Sequence, residues 1–182
     1  FYHRRIKGVG KQNFKSIKKK IGFLNDKLGL FKDLTAWDNI EFFHRIYFPR
    51  KTSLQRVNDI KNIFIKVGLY EHRHRKIDFF SRGMRQRLAL ARSIINEPDI
   101  LILDEPHRGL DVEGKELLKS IILEYKEKGA TIIINSHDLN DVEEYVTHVA
   151  FLNNGEIVEQ CSYEELYKEG LSLTELYKKN IV

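Results

Sequence analysis

The chain has 182 residues, 42% of them hydrophobic, one cysteine and a formal net charge of +5. That is one domain's worth of chain with enough apolar residues to bury a core, and Cys161 alone excludes an intrachain disulfide or a cysteine metal cluster. No apolar run approaches a membrane span and no segment has the layout of a signal peptide, so a soluble protein in a reducing, cytosolic setting is expected.

Residues 1–20 carry eight Lys or Arg and no Asp or Glu. Such a run attracts nucleic acid or an anionic membrane surface. It is read here as a solvated face with at most a weak, salt-sensitive pull toward an inner leaflet, because no aromatic interleaving builds a base-stacking surface. Ile21 to Leu24 reads as a strand. Thr35-Ala36-Trp37-Asp38 has the form of a capping box with Asp in place of Glu, and opens a helix carrying Trp37, Ile40, Phe43 and Tyr47 on one side. Pro49 ends it. Ser53 starts a second helix, with Val57, Ile60, Phe64 and Val67 expected inside and Gly68 at its end.

Phe80-Ser81-Arg82-Gly83-Met84 precedes a strong helix in which Leu88, Ala91 and Ile95 share a face. Ser81 suits an N-cap and Gly83 permits close backbone approach. A capped helix start with unpaired N–H groups is an anion site, although an ordinary capped helix with basic decoration has the same sequence. Ile100-Leu101-Ile102-Leu103 reads as a short strand buried on both faces, and it ends in Asp104-Glu105-Pro106. Ligands of open α/β sheets gather at the carboxyl ends of strands. Two acids there suit a Mg²⁺ ligand and a water-activating base. A buried strand running into a solvated acidic turn is the alternative.

Glu113 to Lys128 reads as an amphipathic helix closed by Gly129. A strand over 130–134 follows and leads into Asn135-Ser136-His137-Asp138, then a short helix from Leu139. Val149 to Leu152 and Glu156 to Val158 flank Asn153-Asn154-Gly155, a hairpin turn. Tyr163 to Asn180 reads as one polar helical tail.

Taken together, these segments resemble the ATP-binding subunit of ABC transporters. Phe80 to Met84 resembles the signature loop, Ile100 to Glu105 the Walker B strand, Gly109-Leu110-Asp111 the D-loop, and Asn135 to Asp138 the switch-histidine segment. Order and spacing match from Ile21 to about Glu159. The resemblance implies a partial P-loop NTPase (RecA-like) α/β core with a mostly parallel sheet and an inserted helical subdomain. Residues 1–34 would be the core up to the Q-loop segment and 35–97 the helical subdomain with the signature loop. Residues 98–160 would resume the core, and 161–182 form a helical tail.

The resemblance further implies that two such domains pair head to tail around ATP and Mg²⁺. Asp104 would hold the metal, Glu105 would position or deprotonate water, and His137 would bond the γ-phosphate. Ser81, Arg82, Gly83 and Met84 would meet the nucleotide of the opposite subunit, and Asp111 would link the two sites. Asp26 stands where the Q-loop glutamine is expected, as a possible metal contact that cannot donate an amide hydrogen bond. Arg82 replaces a glycine of the signature, Met84 its glutamine, and His107 a small hydroxyl residue. The implied partners are a second ATP-binding domain and an integral-membrane permease, with no direct nucleic acid. They place the chain peripherally on the inner face of the membrane. Leu34 to Tyr47 looks most like exporter subunits.

The chain has no G-x-x-x-x-G-K-[ST]; Gly8-Val9-Gly10-Lys11-Gln12 lacks the first glycine and the hydroxyl. With Met84 as the only methionine, a partial chain that begins after its own P-loop is expected, and a naturally degenerate subunit is the alternative. An ATPase acting on ribosomes or nucleic acid and a non-catalytic regulatory subunit are the competing readings.

Overall fold

The computed structural model describes residues 17, 19–25, 28–170 and 172–181. Asp26 and most of the basic run over 1–20 lie outside these. The chain divides into two compact units, Phe1–Asn135 and Ser136–Val182.

The first unit is built on a three-stranded parallel sheet in the order β1 (Ile21–Leu24), β2 (Ile100–Asp104), β3 (Thr131–Asn135). Its helices are α1 (Ala36–Tyr47), α2 (Ser53–Lys66), α3 (Arg82–Ile94) and α4 (Val112–Glu127). The α/β class expected from the sequence is the one observed. Leu101 and Leu103 are fully buried, but Ile100 and Ile102 are only half-buried. The expectation of burial on both faces is therefore corrected. Helices α3 and α4 cover the face of Leu101 and Leu103. On the other face Phe23 and Ile133, which flank Ile102 in register, stay about half exposed.

Gly22 explains how α3 reaches the sheet. A Cβ there would lie 2.0 Å from the Ser93 carbonyl oxygen, so only glycine lets the strand and helix meet. Asn96, just past α3, donates to the carbonyls of Lys19 and Ile21 and fixes the helix end to the strand start.

α1 begins with the expected capping box, in which the Asp38 N–H donates to Thr35 Oγ1 at 3.1 Å. Two further first-turn amides, of Ala36 and Trp37, donate to the carbonyls of Arg75 and Arg73. Trp37 stacks on Phe64 of α2, with ring centroids 5.9 Å apart. The body of α2 starts at Ser53, but its cap is Thr52, in a box with Gln55. Ile60, Phe64 and Val67 are buried as expected, whereas Val57 is 45% exposed. Arg56 takes the inward position of that turn instead. Its stem packs inside while its guanidinium donates to the Lys51 carbonyl.

The second unit holds the antiparallel hairpin β4 (His148–Asn153) and β5 (Glu156–Ser162), with α5 (Tyr163–Glu169) and α6 (Leu173–Ile181). Asn154 and Gly155 have φ of 48° and 83°, the left-handed pair a two-residue hairpin turn needs. Both strands run longer than the sequence suggests. The expected helix from Leu139 is a succession of turns, joined by Val142 N–H to Leu139 O and Tyr145 N–H to Val142 O. With a single i to i−4 bond, Val146 N–H to Val142 O, the stretch does not build a helical ladder. The tail is two helices rather than one. Gly170, at φ 68°, stops the first, and Ser172 with Glu175 caps the second. No helix among the described residues is long and apolar enough to cross a membrane.

His44 is fully buried at the α1–α2 contact, with Nε2 2.8 Å from Asp59, which also accepts from Lys51 at 2.6 Å. Burial pushes the Asp59 carboxyl up, but the hydrogen bonds from Lys51 and His44 outweigh it and hold the group below its ordinary value. A folded value below the unfolded one gives stability that is present above the unfolded value, about pH 4, and is lost as pH falls through the folded one. Asp59→Asn is expected to lower stability at neutral pH and to flatten its decline on acidification. Urea unfolding of both proteins between pH 7 and about pH 3 measures this; parallel pH profiles would refute it.

Candidate functional site

The pairing of β2 with β3 places Asp104 opposite Asn135 at the carboxyl edge of the sheet. Asn135 Nδ2 donates to Asp104 Oδ1 at 2.7 Å and so orients the carboxylate. The chain then turns sharply. Glu105 has a φ of 47°, a left-handed conformation that a non-glycine residue keeps only when neighbours hold it. Its N–H donates to the Asn135 carbonyl at 2.9 Å. One residue of β3 thus fixes both acids of the pair, through its side chain for Asp104 and its backbone for Glu105.

Beyond Glu105 the loop is held by Arg108 N–H to Glu105 O and Leu110 N–H to His107 O, each at 3.1 Å. Asp111 ends it as the N-cap of α4, accepting from Gly114 N–H at 2.8 Å. The same loop lies against the start of α3. A Cβ on Gly83 would come within 3.1 Å of the Gly109 carbonyl oxygen. Gly109 itself, at φ 81°, sits under the Arg82 side chain. Ser81 caps α3 as expected, its Oγ accepting from Met84 N–H at 3.1 Å.

Six of the predicted site residues, Ser81, Arg82, Gly83, Asp104, Glu105 and Asp111, therefore belong to two adjoining segments of the first unit, with Met84 in the first turn of α3. His137 belongs to the second unit, two residues along the chain from Asn135, in a turn where Asp138 N–H donates to Ser136 Oγ. Asp26 falls outside the described residues. Two residues of the site carried no role in the sequence reading. Asn135 orients Asp104, and Gln86 of α3 donates its side-chain amide toward the carbonyls of Glu105 and Pro106. The signal for Gln86 was a polar residue on the stripe it shares with Ala89, Leu90 and Ser93, which is fully inward.

The donor set fits Mg²⁺ held mainly by phosphates and water. Mg²⁺ keeps several waters and takes one or two carboxylates rather than a protein cage. Asp104 offers one oriented carboxylate, and no group of three or more His, Cys, Asp or Glu is assembled among the described residues. The start of α3 suits an anion, with the Arg82 and Gly83 amides in a first turn that lacks an acid.

Residues 3–108 match the family described as ABC transporter. The chain is 32% identical over 154 residues to the ABC transporter ATP-binding protein NatA of Bacillus subtilis, covering 84% of this chain and 61% of that one. It is 37% identical over 166 residues to the lantibiotic transport ATP-binding protein SrtF of Streptococcus pyogenes (90% and 67% covered). With the bacitracin transport ATP-binding protein BcrA of Bacillus licheniformis the identity is 35% over 158 residues (86% and 50%). The chain spans about half to two thirds of the length of these relatives. Among solved structures, it is similar to an ATP-binding cassette captured as a dimer in a post-hydrolysis state with ADP and Pi. There the TM-score is 0.75 at 25% identity, over 85% of this chain and 68% of the other. An ATP-binding subunit of an ABC transporter, at TM-score 0.78 and 23% identity over 92% and 71%, shares the fold.

The cap at Asp111 separates its structural role from any other. Asp111→Ala is expected to cost about 1 kcal/mol of stability, whereas Asp111→Asn, an equally good cap, should leave stability unchanged. Thermal unfolding of the two variants decides it; equal losses would show that the cap is not what Asp111 contributes.

Proposed function

We propose, from the premise that this chain belongs to the ABC transporter ATP-binding family, that it forms part of the subunit that hydrolyses ATP to drive export through a separate permease. The observation that carries the reading is the Asp104–Glu105 pair at the end of β2, both acids fixed by Asn135, beside a capped helix start that suits phosphate. Names of relatives that transport bacitracin and lantibiotics support the exporter part. In this reading residues 35–97 form a helical subdomain inserted into the core that resumes at 98–160. The permease and a second ATP-binding domain are the partners, and they hold the protein against the inner face of the membrane.

Phosphoryl transfer asks the protein mainly for positioning and charge compensation. Bound Mg²⁺ would supply charge compensation at the phosphates, and Asp104 would hold it. Glu105 positions the attacking water and takes its proton. His137 hydrogen-bonds the γ-phosphate from its own nucleotide side. Ser81 O–H and the amide of Gly83 donate to the nucleotide held by the opposite subunit. Asp111 would lie where the two subunits meet, and Asp26 would be a further metal contact.

The chain has no complete lysine-bearing phosphate loop. Purified residues 1–182 are therefore expected to bind ATP poorly and to hydrolyse none; measurable turnover would contradict this. In a longer protein that supplies G-x-x-x-x-G-K-[ST] ahead of this chain, ATP turnover is expected. There Glu105→Gln should lower the rate by about a hundredfold or more while ATP-driven dimers still accumulate, as read by size-exclusion chromatography. Retained turnover in Glu105→Gln would remove Glu105 from its role, and no turnover in the longer parent would favour a non-catalytic subunit.

A further inference from the structure

The left-handed turn at Glu105 is gripped by two elements, β3 at the Glu105 N–H and α3 chiefly at the carbonyl of the next residue, Pro106. On one side the Glu105 N–H donates to Asn135 of β3 at 2.9 Å. On the other, Gln86 of α3 donates from Nε2 to the Pro106 carbonyl at 3.0 Å and more weakly to the Glu105 carbonyl at 3.4 Å. Gln86 is 6% exposed. An apolar residue of the same size would fill the stripe but would take the Gln86 donor away from the Pro106 carbonyl, whereas the Glu105 carbonyl would still accept from Arg108 N–H.

Gln86 stands five residues after Ser81, on the helix whose first turn is the anion site. That first turn also bears on the same loop, through the close approach of Gly83 and Arg82 to Gly109. The helix start and the turn holding Glu105 are thus joined at two points, one backbone and one side chain.

Resting on the reading of Glu105 as the hydrolytic base, we propose that Gln86 is a positioning residue. It locks the backbone just after Glu105 to α3, chiefly through the Pro106 carbonyl, so that the anion-binding end of the helix and the carboxylate move as one body. In a head-to-tail pair the helix start meets one nucleotide and Glu105 serves the other. The Gln86 bond therefore makes the carboxylate of each chain responsive to the phosphate held against its own helix start, a coupling carried inside one chain.

The test uses an ATP-hydrolysing protein that contains this chain, with Gln86→Met, which removes the donor at similar volume, and Gln86→Leu, a second apolar side chain that cannot donate. In both, kcat is expected to fall by about a hundredfold with KM for ATP unchanged, the pattern of a misplaced reacting group. Amide hydrogen exchange should speed up at Glu105 and Arg108 in Gln86→Met and stay at wild-type rates at Leu101 and Leu103. Unchanged exchange at Glu105 and Arg108, or unchanged kcat in both variants, overturns the proposal. Faster exchange at Leu101 and Leu103 as well would reduce Gln86 to a purely stabilising residue and overturns it too. Glu105→Gln, measured alongside, keeps the two claims apart. Turnover surviving that change sinks the role of Glu105, while the exchange rates still report whether Gln86 holds the loop.

Discussion

The site depends on the parallel register between β2 and β3. With Leu103 opposite Ile134 and Asp104 opposite Asn135, the strand pair ends with a polar residue on each side. Asn135 then spends its side-chain amide on Asp104 and its carbonyl on the Glu105 N–H. A slip of one residue would turn Asp104 to the other face of the sheet and break both bonds. Buried Leu101 and Leu103 make such a slip costly, so the hydrophobic pattern of the strand also sets the geometry of its acids.

Helix α3 is the second support. It is held to the sheet by the side-chain-free surface of Gly22, to the strand start by Asn96, and to β1 itself by Arg92, which donates to the Phe23 carbonyl and lies over Phe43. Burial holds the Arg92 guanidinium below its usual value, as expected for a cation used inside the structure. Anchored this way, α3 presents its N-terminus to the loop of Gly109 and its amide Gln86 to Pro106. The features that position the helix for packing are the same ones that position it beside the acids.

Much of this was legible from residue order. Thr35 with Asp38, Ser81 before the Arg-rich helix, Gly129 after α4 and the Asn154-Gly155 turn each state a local rule, and each element formed accordingly. The errors arose where neighbours far along the chain decide. Val57 has the right spacing for burial, but Arg56 fills the place because its polar end finds the Lys51 carbonyl. Ile100 and Ile102 read as core because nothing in a four-residue apolar run tells which face helices will cover. The tail was read as one helix because its polar pattern hides the break at Gly170. In the site, the acids were visible as types at a strand end. Asn135 and Gln86 were not, because an amide reveals its role only through the carbonyls and carboxylates that distant segments bring to it.

The central claim is that Asp104 and Glu105 lie beside the phosphates of a bound nucleotide. Paramagnetic broadening by Mn²⁺–ATP tests it most directly, with backbone resonances assigned in a protein that joins this chain to a lysine-bearing phosphate loop. The account predicts that signals of Asp104, Glu105 and Asn135 broaden strongly while those of Ile100 and Thr131, at the opposite ends of the same two strands, broaden far less. Sharp signals at all three with ATP and Mn²⁺ bound would contradict it.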